Sequence, residues 1–560
     1  MAWFFPINNK FMIKSYFLLV LLLIVFTTTQ AQNVTVGNVS ITHGEEIEED
    51  KEKIVKIAAE LDDIIYTLAT RGKNYYVKTF SSSNMMHLQT KEIELPEHLK
   101  KDIEFENIVN VGEKIYVIGS MFNNKEDIYH LFGYEVNMKG DISKTQIPLF
   151  KTQVTKKRER GGFYFKSSPK KDKLLVMHAT LFEKEEMIQY EIKLFDENLN
   201  KVANHLEKVP YNDRSDLEFE ISDYDVNIYG DVFLAINESY RDKKAKKNIE
   251  KFQLHAFKKS NDYQKEVINV NFENKEVING EVFSTADGKI NIVGFFSNVR
   301  KNGKALKKLR GVYSVVVDSK SNAIDNISFN DFDYDTKVKL IGERRAKKDK
   351  DIKPLYRTHS IIEKENGGFI LLSEYHTVTL GAESGFGPMR MQAITYKHNE
   401  IIITSINQDG SVAWSNVLPK EQAASFTTLS IGFWGGFFNG PLVVGGTICI
   451  PIANLGKGPE YLSAIPIYKN GKLTVLFNDN KKNIGVTNMD DIKSMGNYNK
   501  AIPSAFVFDQ NGEVERIDQE DFEKHQLVLR PGVYFRKNPS EYIIYSSRKS
   551  KDKLGRMIIN

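Results

Sequence analysis

The residues best suited to chemistry in this 560-residue chain are carboxylates at short spacing. Asp331, Asp333 and Asp335 alternate with Phe332 and Tyr334. On a strand, spacing two would point all three at one face and offer oxygen ligands to Ca²⁺. Three carboxylates fall short of the six to eight oxygens that Ca²⁺ takes, and Lys337 and Lys339 continue that face with opposite charge. The expected cofactor is therefore none, with calcium the one alternative. Asp223 with Asp225, and Asp490 with Asp491, are candidate acid/base pairs for glycoside hydrolysis, which needs two carboxyls a few ångströms apart. With 73 acidic residues present, such pairs also arise by chance.

Other catalytic signatures are missing. None of the eleven histidines forms a His-Glu-x-x-His pair. In Gly381-Ala-Glu-Ser384-Gly385 the serine is out of frame with a nucleophile elbow. The single cysteine, Cys449, lies in the apolar run Thr447 to Pro451, as an inert buried thiol would, and it excludes an internal disulfide. There is no phosphate loop, and no catalytic residue is assigned.

Two features point to binding instead. Basic runs occur at Lys156 to Arg160, Lys243 to Lys247, Lys301 to Arg310, Arg344 to Lys350 and Arg548 to Lys553. As one patch they suit an anionic polymer; taken singly they are solvated hairpin tips. Several fall near the second turn of a repeat, which would bring them to one rim. Between Phe426 and Glu460 an apolar, Gly-rich stretch carries Trp434, Phe437 and Phe438. Aromatics set among glycines are candidate anchors for a partner or, peripherally, a membrane surface. The plain alternative is an extra hairpin packed into or over the core.

The elements that must position these residues are read from a repeat. A Gly, Asp or Asn turn followed by an apolar β-rich run recurs about every 50 to 60 residues: Gly112 before Lys114 to Gly119, Asp172 before Leu174 to Met177, Gly230 before Val232 to Ile236, Gly288 before Ile290 to Phe296, and Gly367 before Phe369 to Leu372. Four antiparallel strands with their turns need about 40 to 50 residues, the size of a propeller blade. The predicted fold is all-β: a closed propeller of about eight four-stranded blades, seven being the nearest other count. The units run roughly 54 to 98, 104 to 150, 162 to 208, 217 to 270, 276 to 330, 355 to 420, 461 to 519 and 526 to 560. The last is one strand short, so Val34 to Ile41 is expected to complete it and join the termini in one blade. Period-two alternation predicts one buried and one wetter sheet face. Glu46 to Leu61 reads equally as a short helix or as a loop and strand, and segments 331 to 353 and 426 to 460 interrupt the period.

At these repeats the chain resembles uncharacterised secreted β-propeller-like proteins of Gram-negative bacteria. The resemblance rests on Asn366 to Glu374, Asn399 to Lys420, Leu476 to Asp479 and the closing segment Tyr542 to Ile559. It implies a propeller fold and an exported location, and brings no active-site motif with it.

Lys10 and Lys14, the apolar stretch Tyr16 to Phe26 and the Thr29-Gln30-Ala31 end read as a signal peptide over residues 1–31, cut after Ala31, from a start at Met1 or Met12. No cysteine stands near the cleavage point, so no lipid anchor is expected. The domain organisation is then a leader followed by one propeller domain, 32–560, with an insertion at 426–460. Net charge is +4 for the whole chain and about +2 without Lys10 and Lys14, which gives no general nucleic-acid footprint. The expected role is a secreted, non-enzymatic binding or scaffolding module of the bacterial envelope, in the periplasm or at the cell surface, with an envelope protein or glycan as partner. The alternative is an envelope glycan-binding lectin or glycan-cleaving hydrolase. Nothing in the sequence sets an oligomeric state.

Overall fold

A computed structural model describes residues 33–47, 51–212, 214–242, 244, 246–300, 306–384, 391–429, 442–444, 458–519, 526–548 and 551–560. The leader read over 1–31 lies outside them.

Each repeat is an up-and-down antiparallel sheet, and eight such sheets follow one another among the described residues. Their first strands are Lys53–Leu61, Glu104–Val111, Gly162–Ser167, Arg214–Val226, Glu281–Ser284, Tyr356–Glu363, Ala464–Lys469 and Val528–Asn538. Successive four-stranded antiparallel sheets are the repeating units of a β-propeller, and their number is consistent with eight blades. The turn-plus-strand motif of the sequence is the tight link from first to second strand, as at Gly230, with φ 85°, before Val232–Asp242, and Gly367, with φ 83°, before Phe369–Ser384. A positive φ is what glycine adopts without a steric penalty, so the turn leaves a readable mark.

The eighth sheet takes its fourth strand from the other end of the chain. Val39–His43 pairs antiparallel with Lys551–Ile559, and Asn33–Val36 adds a fifth strand outside it. Val34, Val36, Val39 and Ile41 then bury themselves against Ile465, Leu476 and Ile544 of the seventh and eighth sheets.

Apolar clusters span every pair of successive sheets. Phe369 and Leu371 pack toward the fifth sheet with Phe295, while Ile370 and Leu372, alternating with them, pack toward the seventh with Val475. A further cluster joins the eighth sheet to the first through Ile543, Tyr545, Ile54 and Ile65. The expectation of one wetter face fails for the second strands: every residue of Leu174–Phe182 is buried. A sheet wedged between two neighbours has no wet face at its centre, so alternation survives only in peripheral strands such as Lys201–Pro210.

Of the two readings of Glu46 to Leu61, the loop and strand is the one seen in its described part, with Lys53–Leu61 a strand. The joint at 331–353 contains a helix, Tyr334–Ile341, followed by a short turn of helix, Glu343–Ala346. Among the described residues no helix is long and apolar enough to cross a membrane.

Every strand path is the same, so all first-to-second and third-to-fourth links lie at one end of the sheets, and all second-to-third and inter-sheet links at the other. The five longest connections, 93–103, 299–310, 332–355, 419–463 and 481–500, all belong to the second group. One end carries tight turns and the other carries the elaborations.

The closing strand generates a stability prediction. Ile41→Ala should cost about 2–5 kcal/mol, the usual loss for a buried aliphatic side chain. Thr35→Ala, one strand away on the exposed side, should stay within about 0.5 kcal/mol. Chemical denaturation of both variants checks this; equal, small effects would mean that the N-terminal strands are not part of the core.

Candidate functional site

The calcium reading loses its geometry in the structure. Asp331 ends a strand and pairs with Arg310, while Asp333 caps the following helix by accepting from the Thr336 N–H at 2.6 Å. Asp335 sits in the first helical turn, where a carboxylate suits the helix dipole. The three carboxylates therefore do not share a strand face. Among the described residues no group of three or more His, Cys, Asp or Glu side chains is arranged to hold a metal ion. Asp490 and Asp491 lie exposed in a 3₁₀ turn. Trp434, Phe437, Phe438 and Cys449 fall outside the described residues.

Asp223 and Asp225 lie in a richer setting. They belong to the first strand of the fourth sheet, and first strands of the seventh, eighth, first, second, third, fourth and fifth sheets touch in succession. The first strand of the fifth sheet, Glu281–Ser284, has no strand on its inner side, so its backbone donors there need other acceptors. Asp223 Oδ2 accepts from Val282 N at 2.9 Å, and Asp225 Oδ2 accepts from Ser284 N and Oγ, each at 2.9 Å. Carboxylates at spacing two thus match N–H groups at spacing two on the next sheet. Asp223 also shares a hydrogen bond with Glu281. Lys166, from the third sheet, reaches Asp225 Oδ1 at 3.9 Å and keeps its side chain 39% exposed.

The same seam continues with Glu218, Glu220, Glu250 and Glu276. Glu250 Oε1 accepts from Val277 N at 3.1 Å, repeating the capping arrangement. Burial, reinforced by Glu276, pushes Glu250 up to about 8, and burial with Glu218 pushes Glu220 up to about 7. Burial and the adjacent Asp223 push Glu281 up to about 8. Lys166 stays cationic: burial opposes its charge, but Asp223, Asp225 and Glu281 outweigh it. Chemically the seam offers two neighbouring carboxyls whose proton affinity burial raises, beside an ammonium. A retaining glycosidase instead separates its carboxyls by about 5–5.5 Å.

A second cluster was invisible in sequence. Glu374 accepts from His398 Nδ1 at 2.7 Å, from Lys420 Nζ at 2.7 Å and from Ser463 Oγ at 2.9 Å. Lys420 and His398 hold its carboxylate well below the usual range against the opposing cost of burial. Ser463, at φ 79°, resembles a strained nucleophile, but its proton goes to Glu374, and His359 Nδ1 stands 3.5 Å away. A base that activates a serine hydrogen-bonds it at about 2.6–3.2 Å. The Ser463 N–H donates to Gln422 Oε1 at 2.7 Å, and Gln422 Nε2 donates to Asn478 O at 2.7 Å, so the network ties the sixth sheet to the seventh. A cleft of about 310 Å³ near Asn38, Lys469 and Glu515, at the tight-turn end, gathers no convergent acid–base pair.

The insertion also meets the fourth sheet. Leu442–Val444 pairs in parallel with Phe219–Ile221 on the free edge of that first strand, beside Glu220, while Gln422–Leu429 extends the sixth sheet.

No family model matches the sequence, and no curated protein matches it. Among solved structures the chain is similar to the Dos1 propeller, at 9% identity and TM-score 0.37 over 92% of this chain and 94% of that one. It is similar to an uncharacterised protein of Listeria monocytogenes, at 11% identity and TM-score 0.31 over 82% and 97%. It is also similar to the polysaccharide lyase Uly1, at 9% identity and TM-score 0.33 over 92% and 99%. At these values none of them carries chemistry over to this chain.

The acidic seam makes stability depend on pH in a definite direction. A carboxyl whose folded pKa is raised stabilises the fold below its unfolded value and loses that contribution as pH rises through the folded one. The buried histidines His178, His255 and His376, lowered to about 4 chiefly by burial, act the other way, but only below their unfolded value near 6.5. Between pH 6.5 and 8.5 the seam therefore acts alone among these groups, and unfolding free energy should fall. Glu250→Gln should flatten that fall. An equally steep decline in the variant would show that Glu250 is not protonated in the fold.

Proposed function

We propose that the eight sheets close into a ring and that the chain works as an exported, non-enzymatic binding propeller of the bacterial envelope, engaging its partner through the end that carries the long connections. The observation that carries this reading is the asymmetry of the two ends: every long connection and the 426–460 insertion belong to one of them. Closure is supported by the apolar clusters that join each sheet to the next and the last to the first. The non-enzymatic part is supported by the use of Asp223, Asp225 and Glu250 as acceptors for backbone N–H groups, which leaves them committed to architecture. Export rests on the leader-like N-terminus.

A glycan-cleaving role is the second reading. What favours it is the Asp223–Glu281 pair, in which burial raises both carboxyls and brings Glu281 up to about 8, where it can donate a proton near neutral pH, with Lys166 beside it.

The full-length protein should be retained on purified envelope polysaccharides or envelope proteins without creating new reducing ends. Retention should fall when Trp434, Phe437 and Phe438 are all replaced by Ser, with the melting temperature little changed. Binding unaffected by that variant would remove the insertion from the interface. New reducing ends that vanish in Asp223→Asn would replace the binding reading with the enzymatic one.

A further inference from the structure

The five basic runs all fall on the end of the ring that carries the long connections: two in inter-sheet links and three at second-to-third turns. Three of them are neighbours, in the turn at 243–246, the connection 299–310 and the helical connection 332–355. The connection 299–310 contains no acidic residue at all.

Contacts lock the last two of these together and tie them to the fourth sheet, which carries the first. Lys307 Nζ reaches Glu218 Oε1 on the fourth sheet at 3.6 Å. Leu309 and Ile352 exchange backbone hydrogen bonds, N to O at 2.9 Å and 3.0 Å, locking 299–310 onto the helical connection. Arg310 Nη1 binds Asp349 at 2.7 Å and Asp351 at 3.2 Å, and Phe332, Ala346 and Ile352 anchor the same segment in the core. Those acidic side chains are thereby occupied by Arg310 and Lys337.

What remains outside is cationic. Arg344, Arg345, Lys348 and Lys350 are exposed on the helical connection, Lys308 on 299–310, and Lys244 and Lys246 on the fourth-sheet turn. None of these has an ion-pair partner among the described residues. Tyr334, 47% exposed, stands at the start of the same helical connection. A solvated hairpin tip needs no such arrangement: here Asp331, Asp349 and Asp351 are paired with Arg310 or Lys337, Glu343 with Lys347 and Glu218 with Lys307, so that against the exposed Asp335 there stand seven exposed cations with no ion-pair partner among the described residues.

From this we infer that the surface over the fourth, fifth and sixth sheets binds a linear acidic polysaccharide, a chain of uronate or sulfated sugars. The inference rests on the reading of that end as the binding face. A track of cations suits evenly spaced carboxylates, arginine can take each carboxylate in a bidentate pair, and an exposed tyrosine offers an apolar face for a sugar ring. For a chain with a leader-like N-terminus, such polymers are the polyanions within reach.

The test uses full-length protein and polygalacturonate in 0.1 M salt. Replacing Arg344, Arg345, Lys348 and Lys350 together by Ser should weaken binding at least about tenfold and make its salt dependence shallower, since each lost ion contact removes a released counterion. Replacing Lys139, Lys170, Lys259 and Lys320, exposed at the tight-turn end, removes the same charge and should change affinity less than about twofold, as local contacts rather than net charge would dictate. If the first variant does not fold, Lys244→Ser with Lys246→Ser and Lys308→Ser takes its place. Equal losses at both ends would overturn the inference by showing attraction to net charge. Tighter binding of single-stranded DNA at the same salt would overturn it in favour of nucleic acid. Failure of the unaltered protein to bind polygalacturonate, while it still holds an envelope partner through the same end, would overturn the ligand class and leave the binding-face reading standing.

Discussion

The constraint on which this structure depends is that a β-sheet with two apolar faces cannot exist alone in water. The second strands have buried centres, and Leu174–Phe182 is buried throughout, so they must be covered from both sides. Burial of a Val, Leu, Ile or Phe side chain contributes about 1.5–3 kcal/mol, so an uncovered face would forfeit much of the stability of a domain. Successive covering, sheet by sheet, brings the eighth sheet to the first. It also requires a filled edge there, which Val39–His43 supplies by pairing with Lys551–Ile559.

That constraint creates the polar chemistry of the interior. Bringing first strands together leaves inward-facing backbone donors with no sheet partner, and side chains from the neighbouring sheet supply the acceptors. Asp223, Asp225 and Glu250 do so along one seam, where burial raises their proton affinity. The Glu374 network does the equivalent between the sixth and seventh sheets with a charged carboxylate, because Lys420 and His398 compensate it directly. Perturbed titration in this molecule therefore has an architectural cause first, and a partner-binding role fits the surface better than the seams.

The fold was legible in the sequence because its punctuation is steric. Turns at Gly230 and Gly367 demand positive φ, and the apolar run that follows each, Val232 to Ile236 and Phe369 to Leu372, is buried throughout. The Asp331, Asp333, Asp335 spacing misled because alternation by two also fits a strand end followed by a helix cap, and the Asp333-x-x-Thr336 capping signal was the one that mattered. Asp223 and Asp225 were visible as a pair, but Lys166 and Glu281 lie about one repeat away on either side, a relation that appears only when equivalent positions of successive units are compared. His359, Glu374 and His398 come from three separate strands and Lys420 and Ser463 from the two ends of the connection 419–463, over about a hundred residues in all, so no local spacing announces them.

The account stands or falls on closure between the two ends of the chain, and amide hydrogen exchange measures it directly. Amides in Val39–His43 and Lys551–Ile559 should exchange in the slowest class, with those of Leu174–Phe182 and Val232–Asp242, because opening the closing strand exposes the cores on both sides of the eighth sheet. Exchange of Val39–His43 orders of magnitude faster than Leu174–Phe182, in an otherwise protected protein, would contradict a closed ring.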